Sequence, residues 1–354
     1  MFRTKGRNGR PKVRKPPFLP ARAPRTPRLE FSKWSSGIMA SIRILLSLLI
    51  VAWLPMAVAV GDDESPSPPV LEARIEAART PGPFDVERVR ERDGLRNGPG
   101  YRGATIYHPV RKVAEDGVEP LAPPSRSAGV VLVPGFMASE RSMSRWGPFL
   151  ASHGFVVMTI GTNGFGDNPD ARGAALVDGM VTLRAENERV ESPLFGRLDP
   201  DRIAVGGWSM GGGGAQVAAT LDPSIKAVLA FCPWKPRPHL THDVPVFFLG
   251  AEKDGPAPVR KHALPHFERL DDATPKLLYE VRGAGHNLPM NPRYAGGDVG
   301  RFTLAWLKVF VDGDESWLPL LEARPTNAPR FLLESMPTVE SPPVTKAVPD
   351  KKAA

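Results

Sequence analysis

One cysteine in 354 residues excludes an intramolecular disulfide, so stability must come from the core. Cys232 has no histidine or acid beside it in the chain and is expected to act as a small buried apolar residue. Basic charge is missing wherever a nucleic-acid surface would need it. The formal net charge is +8, but residues 1–36 hold 11 Lys and Arg against the single acid Glu30. From Val60 onward the chain is mildly acidic and has no basic run suited to phosphates, which excludes nucleic acid as a partner. Internal repeats are also lacking, which excludes a solenoid or propeller.

Long apolar runs are equally scarce. One stretch, Ile44 to Val60, is nearly uninterrupted, follows Arg43 and ends in Ala57-Val58-Ala59. A basic lead, a Leu/Ile-rich centre and an Ala-x-Ala site describe a secretory signal peptide, so a secreted or periplasmic protein is expected. A membrane becomes a partner only if that segment stays uncleaved. The chain accordingly divides into five parts: a basic, Pro-rich extension (1–38, untranslated if Met39 is the start), a signal peptide (39–59), a flexible linker (60–80), one folded domain (81–324) and a Pro-rich, disordered tail (325–354).

Within the domain, strand-like runs fall at 102–107, 129–133, 155–160, 202–206, 226–231, 244–249 and 276–281. Helical spacing falls near 141–153, 171–190, 210–221, 258–269 and 299–311. Continuous apolar strands alternating with amphipathic helices predict an α/β protein, its mostly parallel central sheet covered by helices on both faces. Ligands of such sheets bind at the carboxyl ends of the strands.

The most informative stretch is Arg202-Ile203-Ala204-Val205-Gly206-Gly207-Trp208-Ser209-Met210-Gly211 with Gly212–Gly214 after it. A β-branched run meets Gly-x-Ser-x-Gly and opens into a helix, the layout of a nucleophile elbow. Ser209 is therefore the expected nucleophile of a hydrolase. A serine hydroxyl needs a base, and the base an orienting acid, in the chain order Ser, Asp or Glu, His. Asp254 follows strand 244–249, with Glu252 the alternative acid, and His286 lies in a Gly-rich loop after strand 276–281. His108 precedes the serine, His153 ends a helix, and His239, His242, His262 and His266 lie in polar or helical contexts that suggest solvated rings. The oxyanion needs two fixed N–H donors; Met210, directly after the serine, and Phe136, in the loop after strand 129–133, are placed to supply them. Phe136 and Trp234 sit in sheet-end loops and are expected to form an aromatic substrate cleft. No cofactor or metal is expected, and the molecule is expected to be a monomer.

Gly207-Trp208-Ser209-Met210-Gly211-Gly212-Gly213-Gly214 resembles the elbow of the bacterial cutinases and poly(ethylene terephthalate) hydrolases, within the α/β-hydrolases. The segment from Trp146 to Val157, Pro134-Gly135-Phe136, Pro233-Trp234, Glu252-Lys253-Asp254 with Ala257-Pro258-Val259, Gly285-His286 and Ala305-Trp306-Leu307-Lys308 carry the likeness across residues 81–321. The resemblance implies the α/β-hydrolase fold, a carboxylic-ester substrate (small or polymeric), Ser209, Asp254 and His286 as triad, Phe136 and Met210 as oxyanion hole and Trp234 as an aromatic wall. Those enzymes commonly carry a disulfide near the C-terminus, which a single cysteine cannot form. Two other readings stand beside this one: a small-ester hydrolase of the dienelactone hydrolase or platelet-activating-factor acetylhydrolase type, and a catalytically silent binding protein on the same fold.

Overall fold

The structure, a computed structural model, describes residues 67–95, 98–112 and 119–338. The expected extension 1–38 and signal peptide 39–59 lie outside the described residues. Among those described, nine strands form one sheet: β1 (Asp85–Arg90), β2 (Ala104–Val110), β3 (Ser127–Val133), β4 (Val156–Ile160), β5 (Leu198–Trp208), β6 (Val228–Phe231), β7 (Val246–Ala251), β8 (Lys276–Val281) and β9 (Arg330–Glu334). Their order is β1-β2-β4-β3-β5-β6-β7-β8-β9. The stretch from β4 to β8 is parallel, while β1, β2 and β9 run antiparallel to their neighbours. The expected mostly parallel sheet is present.

The helices are α1 (Pro68–Arg79), α2 (Trp146–Ser152), α3 (Pro169–Glu188), α4 (Met210–Leu221), α5 (Ala263–Arg269), α6 (Asp298–Phe310) and α7 (Leu318–Glu322). Two apolar layers explain why the strands read as unbroken hydrophobic runs. Alternate residues of each strand enter opposite layers: Val130 and Leu132 of β3 belong to the layer that also holds residues of α1, α2, α6 and α7, while Val131 and Val133 belong to the one that holds residues of α3, α4 and α5. None of these helices is long and apolar enough to cross a membrane.

Two expectations are corrected. Part of the expected linker is helix α1, which starts at Pro68 and buries Ile75 and Ala78 against α6. Part of the expected tail is strand β9, paired with β8 from Glu280↔Arg330 to Lys276↔Glu334. Its residues are half-buried without alternation, so period-2 patterning gives no signal there.

The chain crosses from β3 to β4 on one side, then returns past β3 to β5 on the other. That reversal opens a crevice beyond the carboxyl ends of β3 and β5, where ligands of open α/β sheets bind. The loop Pro134–Phe136 leaves β3 there, and Ser209 ends β5 there.

Candidate active site

Ser209 sits between strand and helix at φ 59°, ψ −119°, a backbone conformation costly for any residue with a Cβ. The turn survives because its neighbours have no side chains. A Cβ at Gly207 would lie 2.6 Å from the Gly211 carbonyl, and one at Gly211 2.5 Å from Val133 O. The rest of the glycine run serves close approach as well: Gly212 faces the Phe231 backbone, Gly213 the Trp234 carbonyl and Gly214 the Arg172 side chain. The Ser209 carbonyl accepts from Trp234 N–H at 2.8 Å, and Ser209 N–H donates to Phe231 O at 2.9 Å.

The serine hydroxyl lies 2.9 Å from His286 Nε2, and His286 Nδ1 lies 2.8 Å from Asp254 Oδ2. Asp254 is buried, and its other oxygen accepts from Ala257 N–H at 2.7 Å. The structure brings Asp254, and not Glu252, to the histidine. Glu252 instead accepts from Gly283 N–H at 2.7 Å, while Lys253 N–H donates to Ala284 O, so the acid and histidine loops are stapled together. Trp208 adds a third tie, its indole N–H donating to His286 O at 2.8 Å with the rings 5.2 Å apart.

The loop after β3 presses directly on the elbow: a Cβ at Gly135 would stand 2.9 Å from Ser209 Cβ. Among the described residues, neither Phe136 N–H nor Met210 N–H has a protein acceptor. Met210 N–H directly follows Ser209, and Phe136 N–H directly follows Gly135, the residue packed against Ser209; unpaired N–H groups of this kind can donate to a ligand. Phe136 is 54% exposed, and Met137 and Phe165, also exposed, lie next to it, Met137 N–H donating to Phe165 O. Trp234 is half-buried and stacks on His262, ring centroids 5.9 Å apart. An open hollow of about 500 Å³ runs along His286, Asn287 and Leu288 to Tyr294.

Three histidines expected in solvent are buried. His242, His262 and His266 are each at most 8% exposed, and burial lowers all three pKa values, His242 and His266 to about 4. His266 Nδ1 lies 2.8 Å from Gln216 Nε2, which can only donate, so Nδ1 is the acceptor and Nε2–H donates to Lys235 O at 2.8 Å. That neutral ring ties α4 and α5 to the loop carrying Trp234. His262 follows Arg260-Lys261 and His266 lies one helical turn further on, two residues before Glu268, so sequence contrast alone hides their burial.

Cys232 is buried as expected, but an acid is near it in space: its Sγ, an Asp254 oxygen and a His286 nitrogen lie within 4.8 Å of one another. The set has metal-binding donor types, yet Asp254 and His286 Nδ1 are committed to each other. Burial and the Asp254 charge raise the Cys232 thiol well above its usual pKa. A neutral thiol is a poor metal ligand.

The chain matches the family described as PET hydrolase-like over residues 60–338. It is 35% identical over 263 residues to a bis(hydroxyethyl) terephthalate hydrolase of Streptomyces coelicolor, covering 73% of this chain and 77% of that protein. A cutinase of Thermobifida fusca is 33% identical over 304 residues, 84% of this chain and 92% of that protein. Cutinase 2 of Thermobifida cellulosilytica is 34% identical over 265 residues, 73% and 88% respectively.

Proposed function

The chain belongs to the PET hydrolase-like family, and from that premise we propose that it is an exported carboxylic-ester hydrolase working through a Ser209–His286–Asp254 triad. The observation that carries the reading is the unbroken path from Ser209 Oγ through the imidazole to buried Asp254, at 2.9 and 2.8 Å. Ser209 Oγ attacks the ester carbonyl as His286 Nε2 takes its proton. Asp254 holds Nδ1–H and stabilises the imidazolium that forms. The tetrahedral oxyanion lies between the Phe136 and Met210 N–H groups, donors worth about 3 kcal/mol each in a dry site. Collapse expels the alcohol, which takes its proton from His286 and leaves an acyl group on Ser209. Water, deprotonated by the same histidine, then releases the acid and restores the serine.

Phe136 and Trp234 supply the apolar walls for the acyl part, and the relatives' names, cutinase and bis(hydroxyethyl) terephthalate hydrolase, support an ester with a bulky or aromatic acid. The Ile44–Val60 run supports export, with α1 to β9 as the exported catalytic domain. A fluorophosphonate should label the protein once, and peptide mass mapping should place the label on Ser209. Labelling elsewhere, or none by protein that hydrolyses p-nitrophenyl acetate, would refute the mechanism.

A further inference from the structure

Arg172, in the first turn of α3, is 0% exposed. A buried guanidinium is normally paired with a carboxylate. Here, among the described residues, it donates only to backbone carbonyls: Nη1 to Pro134 O at 2.9 Å, Nε to Asp167 O at 2.9 Å and Nη2 to Phe165 O at 3.1 Å. Burial lowers its pKa to about 10, with the Asp167 charge opposing, so it remains a cation at neutral pH. Nothing in the elbow, the acid loop or the histidine loop uses it.

Resting on the reading of Ser209 as nucleophile, we infer that Arg172 is a positioning residue for the oxyanion hole, fixing the peptide whose N–H, on Phe136, meets the developing negative charge. That peptide is clamped on both sides by one side chain. Before it, Pro134 O is held by Nη1. After it, Met137 N–H donates to Phe165 O at 2.9 Å, and Phe165 O is itself held by Nη2. The two arms of a planar guanidinium keep a fixed separation, so they set the span of the loop between the two anchors. Met137 is held at φ 54°, a strained conformation of the kind that persists only where its surroundings impose it.

The same residue references one oxyanion donor to the other. α3 lies tight against α4, whose first N–H belongs to Met210: a Cβ at Gly173 would come 2.8 Å from Val217, and one at Gly214 2.8 Å from Arg172 Cβ. Arg172 thus measures the Phe136 loop from the helix that fixes Met210. A single flexible ammonium cannot reproduce three diverging bonds, so Arg172→Lys is not a conservative change at this position.

The test compares wild type, Arg172→Lys and Arg172→Met with p-nitrophenyl acetate. A trifluoromethyl ketone, which adds to the serine as a hemiketal oxyanion, serves as probe. Circular dichroism melts fix an assay temperature at which each variant is folded. Arg172→Met should lower kcat about 10- to 100-fold with KM within about twofold, since partial loss of one donor is at stake. The ketone should lose affinity by a matching factor, while the midpoint of the acid limb of kcat/KM, set by the triad, should not move. Arg172→Lys should show the same pattern at smaller size; it retains the charge and keeps the test open if Arg172→Met does not fold. Unchanged kcat in folded Arg172→Lys, a loss confined to KM, or unchanged ketone affinity would overturn the inference. Fluorophosphonate labelling of wild type separates the two claims. Failure to label Ser209 removes the triad reading, whereas a labelled Ser209 with active Arg172 variants removes only the role of Arg172.

Discussion

At Ser209 the backbone is held at φ 59°, in a region that a serine occupies only under constraint, and its hydroxyl meets His286 at 2.9 Å. The choice of acid is equally local. Asp254 is buried and bonded to the imidazole, while Glu252 bonds a backbone amide at the surface. Asp254→Asn should therefore lower kcat by roughly 10⁴ with little change in KM, because the imidazole loses its correct tautomer. Glu252→Gln should stay within about tenfold of wild type; steady-state kinetics on p-nitrophenyl acetate checks both. The proposed substrate wall at Trp234 makes a separate prediction. Its backbone is fixed by Ser209 O and its ring rests on His262. Trp234→Ala should keep acetyl-ester turnover and weaken kcat/KM for an aromatic diester by about 1–3 kcal/mol, or roughly 5- to 150-fold. An equal loss on both esters with a lower Tm would make the ring ordinary core.

Among the elements, β5 and α4 were the most legible, since a β-branched run, Gly-x-Ser-x-Gly and helical spacing state strand, turn and helix in consecutive residues. Parallel strands β3 to β8 were legible for a related reason: burial on both faces demands continuous apolar residues. What escaped had weaker contrast. Helix α1 buries only Ile75 and Ala78, and β9 is a short edge strand whose Phe331 packs on Tyr279 and Phe302 through contacts more than 25 residues away in the chain. Arg172 was invisible for a further reason: a lone arginine on a helix reads as solvent-facing, and its three acceptors are backbone atoms, which carry no sequence signature. The glycine run makes a sharp test of element packing. Gly213→Ala would put a methyl 2.5 Å from Trp234 O, so the loop must shift. It should cost about 1–3 kcal/mol of stability and reduce aromatic-ester turnover more than acetyl-ester turnover. Denaturant unfolding and the two-substrate kinetics measure both effects.

For the molecule as a whole, the buried histidines couple stability to pH. His242 and His266 have folded pKa values of about 4 against about 6.5 for an exposed ring. Between those values the unfolded chain binds protons that the native state refuses, so stability rises with pH. Their contribution is fully present above about pH 6.5 and is lost progressively as pH falls toward 4. Tm should accordingly drop over that interval, and replacing His266 with Gln should flatten the drop. A Tm profile flat from pH 6.5 to 4 would contradict the buried, neutral assignment.

Formation of the proposed acyl-enzyme requires the Ser209 hydroxyl, and kcat/KM of Ser209→Ala on p-nitrophenyl acetate, read beside its thermal melt, tests that requirement. A variant that melts within a few degrees of wild type yet loses roughly 10⁵-fold or more in turnover is the predicted result, the remainder coming from the oxyanion donors and binding. A folded Ser209→Ala protein that hydrolyses the ester near the wild-type rate would contradict it.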